Sequence, residues 1–376
     1  MSTMKSNLYL TFAVLVISFS SCISQENPPL IETPQQTKYG TETIVDGIEV
    51  PWGMTFLSEK ELLVTEKKGV LYRVSNGNKT EVGGLPEIYK RGQGGLLDVA
   101  VHPDFKSNNL IYMTLSSHIE ADKGGNTALY QAKLNANTLE DVKLLYKATP
   151  NTTKGQHWGS RIVFDDDGHL FFSVGDRGNR DVNPQDLKRD GGKIYRLNLD
   201  GSIPSDNPFI NTDGAKKAVF SYGHRNPQGM TVHPKTGEIW ENEHGPKGGD
   251  EINIIQKGKN YGWPVITYGI NYSGTPITDE RSRPGMEQPF YYWVPSIAPS
   301  GMAFSSSRVY KKWKGDLFVG SLKFKYLEHL VIKKGKVVKR EKILNEIGRI
   351  RNVKEGPDGY LYIGVEGKGI LKVIQK

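Results

Sequence analysis

The 376-residue chain has one cysteine, Cys22, and none after it. Internal disulfides, thiolate metal sites and a cysteine nucleophile are therefore excluded from whatever folds beyond that point. Long apolar runs are lacking too: the longest, from Leu8 to Phe19, is too short to cross a bilayer as a helix. Amphipathic helical patterns are scarce, which leaves strands to build the body. Charge of one sign is not concentrated either, since 49 Lys and Arg stand against 41 Asp and Glu. That excess is mild for this length and gives no footprint for nucleic acid. The most basic stretch, HLVIKKGKVVKREK at 329–342, alternates charges with apolar pairs and reads as the solvated turn and outer face of a hairpin.

What is present begins with an export signal. Lys5 precedes the Leu8–Phe19 run and Ser20-Ser21-Cys22 follows it, so residues 1–21 read as a signal peptide. The small-small-Cys junction resembles a bacterial lipobox. On that reading Cys22 becomes a lipidated N-terminus that anchors the chain to a membrane of the cell envelope, in the periplasm or at the outer membrane. A plain secretory signal with an incidental cysteine is the alternative. Removing residues 1–21 takes away one lysine, so the formal charge falls from +8 to +7. Residues 22–40 are polar, proline-rich and aperiodic, as a flexible tether would be. The folded domain is expected at 41–376.

Six segments of that domain repeat one pattern of apolar strand, turn rich in Pro, Asp, Asn, Lys and Gly, and second apolar strand. They are MTFLSEKELLVTEKKGVLYRV, LDVAVHPDFKSNNLIYMTLSS, RIVFDDDGHLFFSVGD, GMTVHPKTGEIWENE, GMAFSSSRVYKKWKGDLFVGS and IRNVKEGPDGYLYIGVEGKGILKVI. Their starts lie about 40 to 75 residues apart, a spacing that fits propeller blades with loops of variable length. The chain is expected to be an all-β, six-bladed β-propeller, with a strand around Thr43–Val50 pairing with the last blade to close the ring.

Polar residues between the strands carry the chemistry, because such loops gather over the central channel. SYGHRNPQGM and NEHGPKGGDEIN concentrate Arg225, Asn226, Glu243, Asp250 and Glu251 among glycines. GQGGLLDVAVHPDF contributes Gln93, and GQHWGSRIVF places His157 just before a strand. GSLK brings Lys323 to a strand end, and GRIRNV sets Arg349 and Arg351 two apart, on one face of a strand. If Arg225, Lys323, Arg349 and Arg351 converge, they make a cationic cavity suited to a small ligand with several carboxylates.

Taken in order, GHRNPQG, EHGP with DEIN, NYGWP, GSLK and RIR resemble the soluble pyrroloquinoline quinone (PQQ)-dependent glucose and aldose sugar dehydrogenases, from about Val45 to the C-terminus. Without long insertions, the chain is more similar to the aldose sugar dehydrogenase branch. The resemblance implies oxidation of an aldose at C1 to its lactone, with electrons passing to an external acceptor. It implies that Gln93, Asn226, Lys323, Arg349 and Arg351 bind PQQ, with Tyr272 a further contact. Arg225 would both touch the cofactor and stabilise charge growing on it. His157 would be the general base. Ca²⁺ held partly by the carbonyls of Gly245 and Pro246 would orient PQQ, and a second, structural Ca²⁺ would use Glu251 and the carbonyl of Tyr261. One departure stands out: Gln156 precedes the base where the glucose dehydrogenase branch places an acid, so another group has to orient His157.

Plainer readings accompany these. Arg349 and Arg351 equally fit an exposed strand face, and the aromatics of YYWVPSIAPSG equally fit a core or a sugar site. Asp165-Asp166-Asp167-Gly168 fits a blade turn better than a calcium loop. His102, His118, His169, His233 and His329 read as ordinary solvated or hydrogen-bonded residues, and His224 and His244 as fixing loop geometry. A propeller binding glycans or a partner protein without catalysis is the alternative function; a calcium-dependent lactonase is a third, disfavoured by the cationic side chains.

Overall fold

The six repeats become the inner hairpins of six four-stranded antiparallel sheets in the computed structural model of the chain, which describes residues 38–119, 123–306 and 308–376. The signal segment, Cys22 and the expected tether as far as residue 37 lie outside the described residues. Among the described residues, no helix is long and apolar enough to cross a membrane.

Local chemistry sets the hairpins. In the third repeat Asp165 Oδ1 accepts the backbone N–H groups of Asp167 (3.1 Å) and His169 (2.7 Å), and Gly168 takes the left-handed turn position at φ +83°. The run is thus the blade turn between Ile162–Phe164 and His169–Val174. Inner strands such as Leu361–Val365 are buried along their whole length, whereas outer strands such as Asn78–Val82 are largely exposed. A strand covered on both faces reads as a continuous apolar run, which explains why only the inner strands stood out as repeats.

Blades occupy residues 51–82, 96–147, 162–222, 227–293, 299–343 and 350–375. The sixth is completed by Tyr39–Val45, antiparallel to Gly369–Gln375 with Tyr39 opposite Gln375 and Val45 opposite Ile370. The closing strand therefore lies earlier than Thr43–Val50 and takes in Tyr39 and Gly40, assigned by sequence to the tether. Apolar clusters cement adjacent blades: Leu63, Leu71, Leu96 and Met113 join the first to the second, and Phe318, Leu327, Ile350 and Ile363 the fifth to the sixth. Tyr291 and Trp293 belong to such a cluster, so those aromatics are core. His329 is also buried, its ring between Asp316 and Glu341 at 2.8 Å each in the outer hairpin of blade five; the surrounding basic run forms Leu327–Lys333 and Lys336–Ile343.

At the centre one guanidinium ties the ring together. Arg161, just before the third blade, donates to the carbonyls of Trp52 (2.9 Å), Gln228 (2.8 Å) and Arg351 (2.9 Å) and to Asp98 Oδ1 (3.1 Å). Its partners come from the first, fourth, sixth and second blades. It separates two hollows of the channel, one of which carries the residues singled out by sequence.

Candidate active site

At one end of the channel, loops from every blade enclose a cavity of about 320 Å³. Gln93, Asn226, Arg349 and Arg351 line it as expected, joined by Trp52, Trp158, Gln228 and Glu366. Arg349 lies just ahead of the strand Ile350–Glu355 and Arg351 within it, which aims both guanidinium groups inward. Glu366, on the facing loop, accepts from Arg349 Nε (2.7 Å) and Arg351 Nη2 (2.6 Å). Burial alone would raise the Glu366 carboxyl, but Arg351 and Arg349 hold it below the usual carboxylate range. The two arginines are thus already organised for carboxylates.

A second hollow of about 250 Å³ holds His157, Asp176, Arg225, Trp263, Pro246, Asn271 and Tyr272. His157 is fixed from two sides. Its backbone N–H donates to Gln93 Oε1 at 2.8 Å, and its Nδ1 lies 2.6 Å from Asp176 Oδ1. The same carboxylate accepts Gly178 N–H (2.7 Å) and Trp263 Nε1–H (2.9 Å). Although burial pushes the Asp176 acid upward, hydrogen bonding and charge from His157 and the charge of Arg225 keep it ionised below its ordinary value. An ionised carboxylate only accepts, so Nδ1 must carry the proton and Nε2 keeps its lone pair. Burial is the main cause that lowers the His157 pKa, partly opposed by Asp176 and helped by Arg225 and Arg177. The result is a neutral imidazole with one basic nitrogen. Gly175 allows this approach: a Cβ there would meet the His157 carbonyl and Asn226 Oδ1.

Arg225 borders the same cleft and donates to the carbonyls of His244 (2.9 Å) and Gly245 (3.0 Å), while its Nε has no partner among the described residues. Behind it a pocket of about 10 Å³, room for one ion or water, is lined by Glu243, Gly245, Glu251 and Tyr261. Burial, reinforced by Glu243, pushes the Glu251 acid well up. Adjacent to it, His224 lies 3.5 Å from Glu241 and 3.4 Å from Glu243, and these carboxylates outweigh burial to raise its pKa to about 9. Burial also raises Glu241, to about 7, so Glu241 and Glu251 are held toward their neutral form, and a hard, oxygen-seeking cation is the partner that would let them ionise. Glu251 and Tyr261 are thus brought to one metal-sized pocket, with Glu243 added. Gly245 and Pro246 stand between it and the cleft.

Two expected cofactor contacts lie apart from the cavity. Tyr272 is 74% exposed and forms the outer wall of the His157 cleft. Lys323 is an exposed rim residue whose ammonium sits 5.0 Å from the Phe324 ring centroid. Asp176, Gln228, Glu243 and Glu366 were not assigned roles by sequence. Asp176 closes the third repeat, SVGD, immediately after the strand His169–Val174, and this position facing the channel mouth was the available signal.

The glucose/sorbosone dehydrogenase family model matches residues 48–372. Aldose sugar dehydrogenase YliI of Escherichia coli K12 is 42% identical over 330 residues, 86% of this chain and 88% of that protein. Among solved structures, the apo-form of the soluble aldose sugar dehydrogenase from Escherichia coli superposes with a TM-score of 0.86 at 40% identity, covering 90% of this chain and 100% of the other. The PQQ-bound form of aldose sugar dehydrogenase from Streptomyces coelicolor superposes with a TM-score of 0.74 at 26% identity, covering 91% and 100%. With a matching model across nearly the whole propeller and a relative this similar over its full ring, the chain belongs to the glucose/sorbosone dehydrogenase family.

Proposed function

We infer that the protein is a quinoprotein that oxidises aldose sugars at C1 to lactones, with PQQ as cofactor and Ca²⁺ as its metal. The observation that carries this reading is the His157–Asp176 pair, a neutral base with a free Nε2, opening beside a cavity armed with two arginines. PQQ, a tricarboxylated quinone, supplies the hydride acceptor when bound. Arg349 and Arg351 suit its carboxylates, and Gln93, Asn226 and Gln228 its carbonyls. His157 Nε2 removes the proton of the anomeric hydroxyl, and Asp176 stabilises the imidazolium that forms. Arg225 supplies positive charge on the same wall of the cleft. Titrating the protein with PQQ, with and without Ca²⁺, and following aldose-dependent dye reduction tests the reading. Saturable activity supports it; absence of PQQ binding overturns it in favour of a non-catalytic propeller.

The base sets the pH profile. Protonation of His157 abolishes its function, and its pKa lies below the ordinary 6.5. Aldose kcat/KM should therefore hold through neutrality and fall with an acid limb below about pH 6.5. A limb above that value would contradict the role of burial.

For the metal, the Glu243–Glu251 pocket makes a second measurement decisive. Ca²⁺ at about 100 times its Kd should stabilise the fold by about 2.7 kcal/mol. Glu251→Gln should remove most of that increment, as read by thermal unfolding with and without a chelator.

Localisation completes the proposal. Cys22 is taken as a lipid anchor in the cell envelope, supported by the Leu8–Phe19 run and the junction that follows it. Incorporation of labelled fatty acid that is lost in Cys22→Ser supports this; a soluble, unlabelled mature protein contradicts it.

A further inference from the structure

Arg177 is the least expected charge in the molecule. Its side chain is 1% exposed, its guanidinium carbon lies 3.3 Å from the ring centroid of Trp158, and among the described residues it forms no ion pair. One terminal nitrogen donates to the Gln156 carbonyl and the other to the Lys154 carbonyl at 3.0 Å, while Nε has no partner among the described residues. Burial brings its pKa down to about 9, opposed mainly by the neighbouring Asp176. A methionine would pack against Trp158 as well without a desolvated charge. The arginine therefore has a use that packing does not supply.

Its two acceptors identify that use. Lys154 and Gln156 belong to the loop that carries His157, and His157 itself holds φ at +57°, a conformation that a non-glycine residue keeps only when its surroundings impose it. The loop is held at Gln93 through the His157 N–H and at Trp158, whose Nε1 donates to the Gly155 carbonyl at 2.9 Å. Arg177 ties the same loop to the one bearing Asp176, so the imidazole and its carboxylate become two parts of one clamp. We propose that Arg177 is the positioning residue of the base, locking the 154–158 loop so that His157 Nδ1 meets Asp176 and Nε2 faces the cleft. Its charge has a second consequence, because a cation beside the ring opposes formation of the imidazolium.

The groups facing that ring are Asp176 from the same loop as Arg177, Arg225 from the entry to blade four and His244 across the channel, with Lys154, Arg180 and Asp181 around the cleft. Among the described residues only Asp176 hydrogen-bonds to it, and that bond raises the His157 midpoint, so freeing the loop while keeping the Arg177 charge should lower the midpoint.

The proposal rests on His157 being the base, and the test separates the two. His157 is titrated by NMR in the cofactor-free protein, its ring signals assigned by comparison with His157→Gln, in wild type, Arg177→Met and Arg177→Lys. PQQ uptake, kcat and KM are then measured on each. Arg177→Lys keeps the charge and loses the two-pronged clamp, so kcat should fall about tenfold to a hundredfold and the midpoint should fall as the bond to Asp176 weakens, leaving sugar KM within about twofold and PQQ uptake unchanged. Arg177→Met loses the clamp too, and its kcat should fall by a similar factor, while loss of the cation offsets the fall of its midpoint. Wild-type kcat in both variants, or an unmoved midpoint in Arg177→Lys, overturns the proposal. Should Arg177→Met fail to fold, Arg177→Lys decides alone: a wild-type kcat or an unmoved midpoint overturns the clamp, and a reduced kcat with a lowered midpoint sustains it. A wild-type protein that takes up no PQQ overturns the quinoprotein reading instead, and the ring titrations still report the clamp.

Discussion

His157→Gln should lower aldose turnover by about 10²- to 10⁴-fold, the usual contribution of a positioned general base, while PQQ uptake persists. The separation follows from geometry. His157 borders the cleft while Arg349 and Arg351 border the cavity, and Gln93 links the two through a bond to the His157 backbone that glutamine at position 157 preserves. Glutamine is close in size but offers no basic nitrogen. Asp176→Asn makes the complementary test. Asparagine has an amide that also donates, so His157 can turn Nδ1 into an acceptor, which places the proton on Nε2 where it cannot act as base. Turnover should fall by a similar order, and the acid limb should lose its dependence on a carboxylate-held imidazole. Rapid mixing of sugar with PQQ-loaded variants reads this step directly. Turnover within threefold of wild type in both would remove the pair from the chemistry.

Much of the fold was legible because inner strands are buried on both faces and therefore repeat as apolar runs. The closing strand was read late for the same reason reversed: Tyr39–Val45 lies at the outer edge, mostly half-exposed, and YGTETIV has no apolar run to mark it. In the site, residues close in sequence were readable, as with Arg349 and Arg351, whose spacing puts them on one wall. Partners joined only through space were not. Asp176 is 19 residues from His157 and Glu366 is 15 from Arg351, and nothing in either local sequence announces the pairing. Lys323 shows the converse: its place at a strand end was right, yet its side chain lies over Phe324 at the rim. His329 read as an ordinary histidine because the two acids that enclose it come from a different strand and the preceding turn.

Arg161→Met should be the costliest substitution for stability, by about 3–5 kcal/mol, as when one partner of a buried ion pair is removed. Arg161 is 4% exposed, and its guanidinium carbon lies 4.1 Å from the Trp52 ring centroid. Burial lowers its pKa, with Asp98 opposing. Removing it strips a donor from three main-chain carbonyls and leaves the Asp98 carboxylate, 5% exposed, without its counter-charge. The Trp52 carbonyl keeps the Asn352 Nδ2 donor at 3.3 Å, and water entering from the hollow below, where Arg161 and Asp98 are both on the wall, limits the cost of the other two. The double variant Arg161→Met with Asp98→Leu should cost less than the sum of the single changes, because the stranded carboxylate goes with its partner. Urea denaturation of the four proteins measures the coupling. Additive losses, or a cost under about 1 kcal/mol for Arg161→Met, would mean that the ring holds through its apolar seams alone. The same bonds reach the site, since all three carbonyls belong to residues that line the cofactor-sized cavity, Trp52, Gln228 and Arg351. Loss of PQQ affinity should therefore accompany loss of stability in Arg161→Met, although Arg161 itself does not line that cavity.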